Sequence, residues 1–258
     1  MLMRTLCLSL LLLLPLTSIT KAADKLTGCF VIWPPYTQLI DDKPYGITVD
    51  IMHEAAKRSN YDLTLSSLPW NRCLKNVQRG DIDFAMEAVE RPGFIHGKHP
   101  SALYIEAFWH RASEDYGRYK YVGLLTDKRL ALMQGYKYSD EILDAGFKVI
   151  DWVQSEDSAA QLIVNDRLDL VYADVVVMQH VITKEGYELV PLLPVHNVQP
   201  LYPTFNVSLV EKRDRIDNAL GQMHADGSID QIYKKHTGLS FSDFVEISQN
   251  SSLGKITN

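Results

Sequence analysis

Three cysteines in 258 residues are too few for a disulfide scaffold. Basic charge is also scarce. Lys and Arg number 26 against 32 Asp and Glu, so the chain offers no electrostatic footprint for nucleic acid. Beyond the first twenty residues, no run approaches the roughly 20 apolar residues that a membrane-spanning helix needs. There is no Ser/His/Asp order, no metal-ligand spacing and no glycine-rich phosphate loop. His96, His99 and His110 stand at no spacing that pairs them for catalysis. These absences leave no catalytic residue, cofactor or metal to expect. They favour a chain that binds over one that reacts.

What is present begins with a leader. Arg4 precedes an almost unbroken apolar run from Leu6 to Leu14, and small residues follow at Ala22 and Ala23. This reads as an export signal over 1–22. Cleavage after Ala22 puts Thr20 and Ala22 at the small-residue positions, and it removes two bases, Arg4 and Lys21, without an acid. Leu26-Thr-Gly-Cys29 has the lipobox spacing of lipoproteins, but Lys21, Asp24 and Lys25 separate it from the apolar run, so anchoring is not expected. Cys7 leaves with the leader. Cys29 and Cys73 then form an even pair in an oxidising compartment, open to two readings: two buried thiols, or one disulfide. The disulfide is preferred. No His or Cys sits close enough to either for a metal site.

The chain is organised around Pro69 to Arg91. Pro69 suits a helix start. Cys73, Leu74 and Val77 fall at helical spacing, and Gly80 suits a helix stop. Ile82 to Met86 is a short apolar run that reads as a buried strand, with Glu87, Glu90 and Arg91 directly after it. Upstream, Cys29 to Trp33 reads as a strand stopped by Pro34-Pro35. Asp41 to Gly46 is turn chemistry, Val49 to Asn60 a helix, and Leu63-Leu65 the start of a second strand. Strand, helix, strand, helix, strand implies parallel pairing with helices on the faces, an α/β class. After a polar connection at 113–121 the series repeats. Strands are expected at 130–133, 149–150 and 170–173, with helices near 140–145 and from Ser155 to Asn165. Pro200 to Pro203 reads as a return crossover and Phe205 to Val210 as a strand. Helices follow around Ile216, Leu220, Met223 and from Ser228, and a polar tail frays from Gln249. In open α/β sheets ligands bind beyond the carboxyl ends of strands. Trp33, Trp70, Glu87, Arg91, Gln134 and Asp174 all stand near such ends.

The motifs W-P-P-Y at 33–36, G-I-T-V-D-I at 46–51, W-x-R-x-L at 70–74, G-D-I-D at 80–83 and E-R at 90–91 resemble family 3 of the bacterial extracellular solute-binding proteins, and so does the ending H-A-D-G-S-I-D-Q-I-Y-K-K-H-T-G. The resemblance implies a type II periplasmic binding protein-like fold. Each lobe would be a mainly parallel sheet flanked by helices, and two hinge crossovers would join them. Residues 23–110 and 206–258 would form one lobe and 111–205 the other. It implies a periplasmic, monomeric protein that captures an amino acid or similar small polar solute, for uptake through an inner-membrane ABC permease. The rival functions are a dehydratase-type enzyme on the same fold and a ligand-sensing module without transport.

The resemblance also implies roles for residues. Trp33 and Trp70 would sandwich the ligand, and Arg91 would clamp its α-carboxylate with a guanidinium fork. The turn Gln134-Gly135-Tyr136 would offer backbone N–H groups, and Asp174 would meet the α-ammonium. Asp174 also suits the cap of the helix that follows it. The segment before Arg91, Glu87-Ala-Val-Glu90, is shorter than the family pattern and lacks its threonine turn. Glu87 would face either the crevice, where it could meet a cation, or solvent.

Overall fold

The structure, a computed structural model, describes residues 22–250. The expected leader at 1–22 lies outside them apart from its last residue, and so does the tail beyond Asn250. The chain opens with strand β1 (Asp24–Phe30) and a hairpin, β2 (Gln38–Ile40) and β3 (Lys43–Tyr45). Helix α1 (Ile47–Arg58), β4 (Tyr61–Ser67), α2 (Trp70–Arg79), β5 (Phe84–Ala88) and β6 (Phe94–Ile95) follow. A long strand, β7 (Ala102–Arg111), leads to a short 3-10 turn. Then come β8 (Arg129–Met133), α3 (Asp140–Leu143), β9 (Val149–Val153), α4 (Glu156–Val164), β10 (Leu170–Asp174), α5 (Val175–Glu185) and β11 (Leu189–Pro191). A second long strand, β12 (Asn197–Asn206), returns the chain to α6 (Val210–Ala225), α7 (Ser228–Thr237) and α8 (Phe241–Asn250).

Two groups of strands make the two lobes. In the first, β4, β1 and β5 pair in parallel; in the second, β10, β8 and β9 do. The long strands β7 and β12 stand between the groups. They pair antiparallel with each other from Ala102–Glu106 to Leu201–Asn197. Beyond that stretch they diverge: β7 joins β10 through Glu106–Trp109, and β12 joins β5 through Tyr202–Phe205. The sheet is thus continuous across both lobes, in the order β4-β1-β5-β12-β7-β10-β8-β9. Glu106, at the end of the shared stretch, accepts hydrogen bonds from Asn197 (2.8 Å) and Gln199 (2.9 Å) of the other crossover strand.

Local chemistry explains the elements that matter for the site. Pro69 caps α2 and Gly80 ends it at φ +79, the left-handed conformation that glycine reaches without a Cβ penalty. Only Cys73 and Val77 of α2 are fully buried. They meet Cys29 and Ala85 in a small cluster of their own. There Cys29 and Cys73 are disulfide-bonded, with Cα atoms 5.7 Å apart, so the helix that carries Trp70 is tied to the first strand. The main core runs through both lobes, from Phe30, Ile51 and Phe84 to Trp109, Val171 and Ala159. A second cluster around Phe108, Leu132, Tyr138 and Tyr172 fills the other face of the second lobe.

Several expected boundaries move. β1 begins at Asp24 and ends at Phe30, so Trp33 follows the strand instead of closing it. β5 runs two residues later than expected and contains Glu87. β12 ends at Asn206, and Val210 opens a helix. Trp152 lies on β9 at the open edge of the sheet and is 47 % exposed; the wholly buried tryptophan is Trp109.

Candidate functional site

The cleft between the lobes holds a cavity of about 870 Å³. Its walls come from three sources. The first lobe contributes Trp33, Trp70, Glu87 and Arg91, the crossover strands Tyr104 and Gln199, and the second lobe Gln134, Gly135, Tyr136 and Glu156. Seven of the eight residues singled out from the sequence therefore border one space. They share it because each lies at or just beyond a strand end.

Arg91 and Trp70 form one end. The Arg91 guanidinium carbon lies 5.2 Å from the centre of the Trp70 ring, within cation–π range. Arg91 Nε is buried and has no hydrogen-bond partner among the described residues. Burial without a compensating anion lowers the Arg91 pKa from its usual value. A buried donor left unpaired is costly, and an anionic group entering the cleft would relieve it.

Glu87 occupies the interior side of the same lobe. β5 and β12 slip register between Ala85–Ala88 and Tyr202–Thr204, and Glu87 sits in that bulge at φ +55. The bulge turns the carboxylate back toward Thr37 (3.4 Å) and Thr48, whose hydroxyls both donate to it. Burial pushes its pKa up to about 8 against the pull of these two bonds. Glu87 is half-buried, borders the cavity and does not stand as a solvated face.

Asp174 is the exception among the expected residues. Its side chain is fully buried and does not line the cavity. Oδ1 accepts from the Val177 N–H (2.9 Å) and caps α5; Oδ2 accepts from the Ile105 N–H (2.8 Å) on the crossover strand. The expectation that Asp174 meets the ligand's ammonium is corrected: the α5 cap holds one oxygen and the Ile105 N–H holds the other, away from the cavity. Burial raises its pKa to about 8.

The second lobe instead presents Glu156, which the sequence reading passed over. Ser155 caps α4 by accepting from the Ser158 N–H, and Glu156 is the first helical residue. Its Oε1 accepts from Trp33 Nε1 (3.2 Å) across the cleft and from Tyr136 Oη (3.1 Å). The signal was available, since residues 154–157 follow the carboxyl end of β9. A glutamate in a first helical turn, however, reads as dipole chemistry. Tyr104, on β7, was also passed over. Gln134 lies on the exposed rim, bonded to Trp152 O and to Gln154. Gly135 turns the chain at φ +81.

Residues 28–92 match the family model of bacterial extracellular solute-binding proteins, family 3. No curated protein matches the chain. Among solved structures, the chain is similar to a histidine kinase sensor domain that itself resembles periplasmic binding proteins, with a TM-score of 0.74 at 16% identity over 85% of this chain and 98% of that one. It is similar to an ancestral arginine-binding protein bound to arginine, with a TM-score of 0.67 at 18% identity over 84% of this chain and 99% of that one. A third likeness is to the arginine-, lysine-, histidine-binding protein of the thermophilic bacterium Geobacillus stearothermophilus, with a TM-score of 0.68 at 17% identity over 84% and 96%. At such identities these likenesses speak for the fold alone. The chain thus has the two-lobed fold of the periplasmic binding proteins, and its residues 28–92 carry the signature of the family 3 extracellular solute-binding proteins.

Proposed function

We propose that this protein is a periplasmic solute-binding protein that closes its two lobes on an amino acid or similar small polar solute. The observation that carries the reading is Arg91: a cation at the cleft, stacked near Trp70, with a buried donor that no described residue satisfies. A carboxylate is the planar acceptor that a guanidinium fork matches. A ligand that touches both lobes favours the closed state by its differential affinity for that state. The leader at 1–22 supports export, and the family match supports a periplasmic site of action. No helix among the described residues is long and apolar enough to cross a membrane. Uptake through an ABC permease is the role this reading assigns, with the protein acting as a monomer and without catalysis. The likeness to a histidine kinase sensor domain favours a second reading, ligand sensing without transport.

The test is mass spectrometry of solute retained on the protein purified from the periplasm, followed by calorimetry with the twenty amino acids. At least one amino acid is expected to bind. Arg91→Ala is expected to weaken it about 30-fold or more, since losing one partner of a shielded charge pair costs roughly 2–5 kcal/mol. Binding unchanged in Arg91→Ala, or no amino acid bound, would overturn the amino-acid reading. Labelled-ligand uptake by cells lacking the protein separates the two roles: lost uptake supports transport, and intact uptake with a lost ligand response supports sensing.

A further inference from the structure

Three aromatic rings meet at the second-lobe side of the cavity. The ring centres of Trp33, Tyr104 and Tyr136 lie 6.0, 6.4 and 6.4 Å apart in pairs, at steep mutual angles, and all three residues line the cavity. They come from three places: the loop after β1, the crossover strand β7 and the loop after β8. Glu156 stands among them, buried and bonded through Oε1 to Trp33 and Tyr136. Both donors are neutral. No basic side chain of the described residues forms an ion pair with Glu156. Tyr104, a residue 6 % exposed, lines the same space, and its buried hydroxyl has no hydrogen-bond partner among the described residues.

A buried carboxylate without a cation is costly, and such groups are ordinarily paired. The faces of aromatic rings attract a cation within roughly 6 Å of their centres, and clusters of such faces suit alkylated ammonium groups. A cation seated on the cavity side of the three rings is within that range of each. A hard metal ion needs several oxygen ligands, and the described residues contain no group of three or more His, Cys, Asp or Glu fit to hold one. The unpaired Tyr104 hydroxyl suits an N–H or a polar oxygen of an organic ligand.

We propose that Glu156, with the rings of Trp33, Tyr104 and Tyr136, is a seat for an organic ammonium group, alkylated ammonium included, at the pole of the cleft opposite to Arg91. This rests on the reading of the cleft as a solute site and names the chemistry of the solute's cationic end. Arg91 then supplies a cationic pole and Glu156 an anionic one, and a zwitterion spans them, with Lys137, His180, Lys184, Asp157 and Glu185 also along the lining. The anionic pole is Glu156, since Asp174 is committed to its helix cap. Burial raises the Glu156 pKa while only neutral donors oppose it, as expected of a carboxylate whose cation arrives with the ligand.

The test is calorimetry of the purified protein with choline and with 3,3-dimethyl-1-butanol, its uncharged carbon counterpart. Choline is expected to bind at least 10-fold tighter. Glu156→Gln keeps an oxygen for Trp33 and Tyr136 but removes the charge, and is expected to reduce the preference below 3-fold. Tyr136→Leu, at a half-buried loop position, is expected to weaken choline at least 5-fold, which keeps the test open should Glu156→Gln not fold. Absence of choline binding, equal binding of the two probes, or a preference that survives in either variant would overturn the seat. The amino-acid titrations are separate. If no amino acid binds but choline does in a Glu156-dependent way, the seat stands and the amino-acid reading falls. If amino acids bind and choline does not, the reading stands and the seat falls.

Discussion

At the scale of single residues, the cleft tryptophans divide by what else they hold. Trp33 is 8 % exposed and stacks on Tyr36 with ring centres 4.6 Å apart, so it serves the core and the cleft together. Trp70 is only half-buried on the first turn of α2. Trp33→Ala is therefore expected to cost about 3–5 kcal/mol of stability as well as affinity. Trp70→Ala should weaken ligand binding by roughly 1–3 kcal/mol with little effect on the fold. Urea denaturation and calorimetry on both variants check this, with the exposed Trp152→Ala as a control near wild type in both. The acids make a second prediction. Glu87 and Asp174 keep their protons up to about pH 8 in the folded protein, whereas the unfolded chain loses them near pH 4. The unfolded state therefore binds fewer protons across that interval, and stability falls as pH rises through 8. Between pH 7 and 9 the loss is about 1.4 kcal/mol per group. Glu87→Gln should remove its share, and a denaturation free energy that is level or rising over that window would refute the assignment.

At the scale of elements, the loop that carries Trp33 depends on a glycine. Gly46 caps α1 at φ +138, and a Cβ there would lie 2.3 Å from the Tyr36 carbonyl oxygen. The close approach lets Ile47 and Thr48 donate their N–H groups to Pro35 and Tyr36, so the free end of α1 holds the loop. Gly46→Ala is expected to cost more than about 1 kcal/mol and to lower the melting temperature by 2 °C or more, with ligand affinity falling alongside because Trp33 moves with the loop. The Cys29–Cys73 bond closes a span of 44 residues, and replacing both with serine should cost about 2–4 kcal/mol in denaturant titrations. Elements of this kind could be read in the sequence, because their signals are local: Pro69 and Gly80 bound α2, Ser155 starts α4, and alternating strand and helix patterns give the two lobes. What could not be read depends on partners far along the chain. The bulge at Glu87 exists only against β12, more than a hundred residues on. Trp152 lies outside because β9 is an edge strand, which its apolar neighbours do not reveal. Glu156 meets Trp33 only because the fold sets the start of α4 against the loop after β1, more than a hundred residues earlier.

At the scale of the molecule, the two crossover strands are hydrogen-bonded to each other, so one lobe turns on the other only by twisting a shared two-stranded ribbon. Glu106 clasps that ribbon through Asn197 and Gln199. Glu106→Ala leaves both amides without their acceptor. It is expected to loosen the hinge, seen as a larger radius of gyration by solution scattering without ligand and a smaller difference in stability on adding it. An unchanged radius would remove Glu106 from the hinge.

The return of β12 has a further consequence, for the order in which the protein is made. The first lobe contains the earliest described residues and also the latest. β5 pairs with Tyr202–Phe205, and α1 packs against α6 and α7. A growing chain that has reached residue 201 holds every strand of the second lobe but leaves one side of β5 bare and the buried face of α1 uncovered. The second lobe has all its strands by then, whereas the first still lacks the end of β12, α6 and α7 at 202–237. Until they are in place, Trp33, Trp70 and Arg91 have no finished wall to stand on.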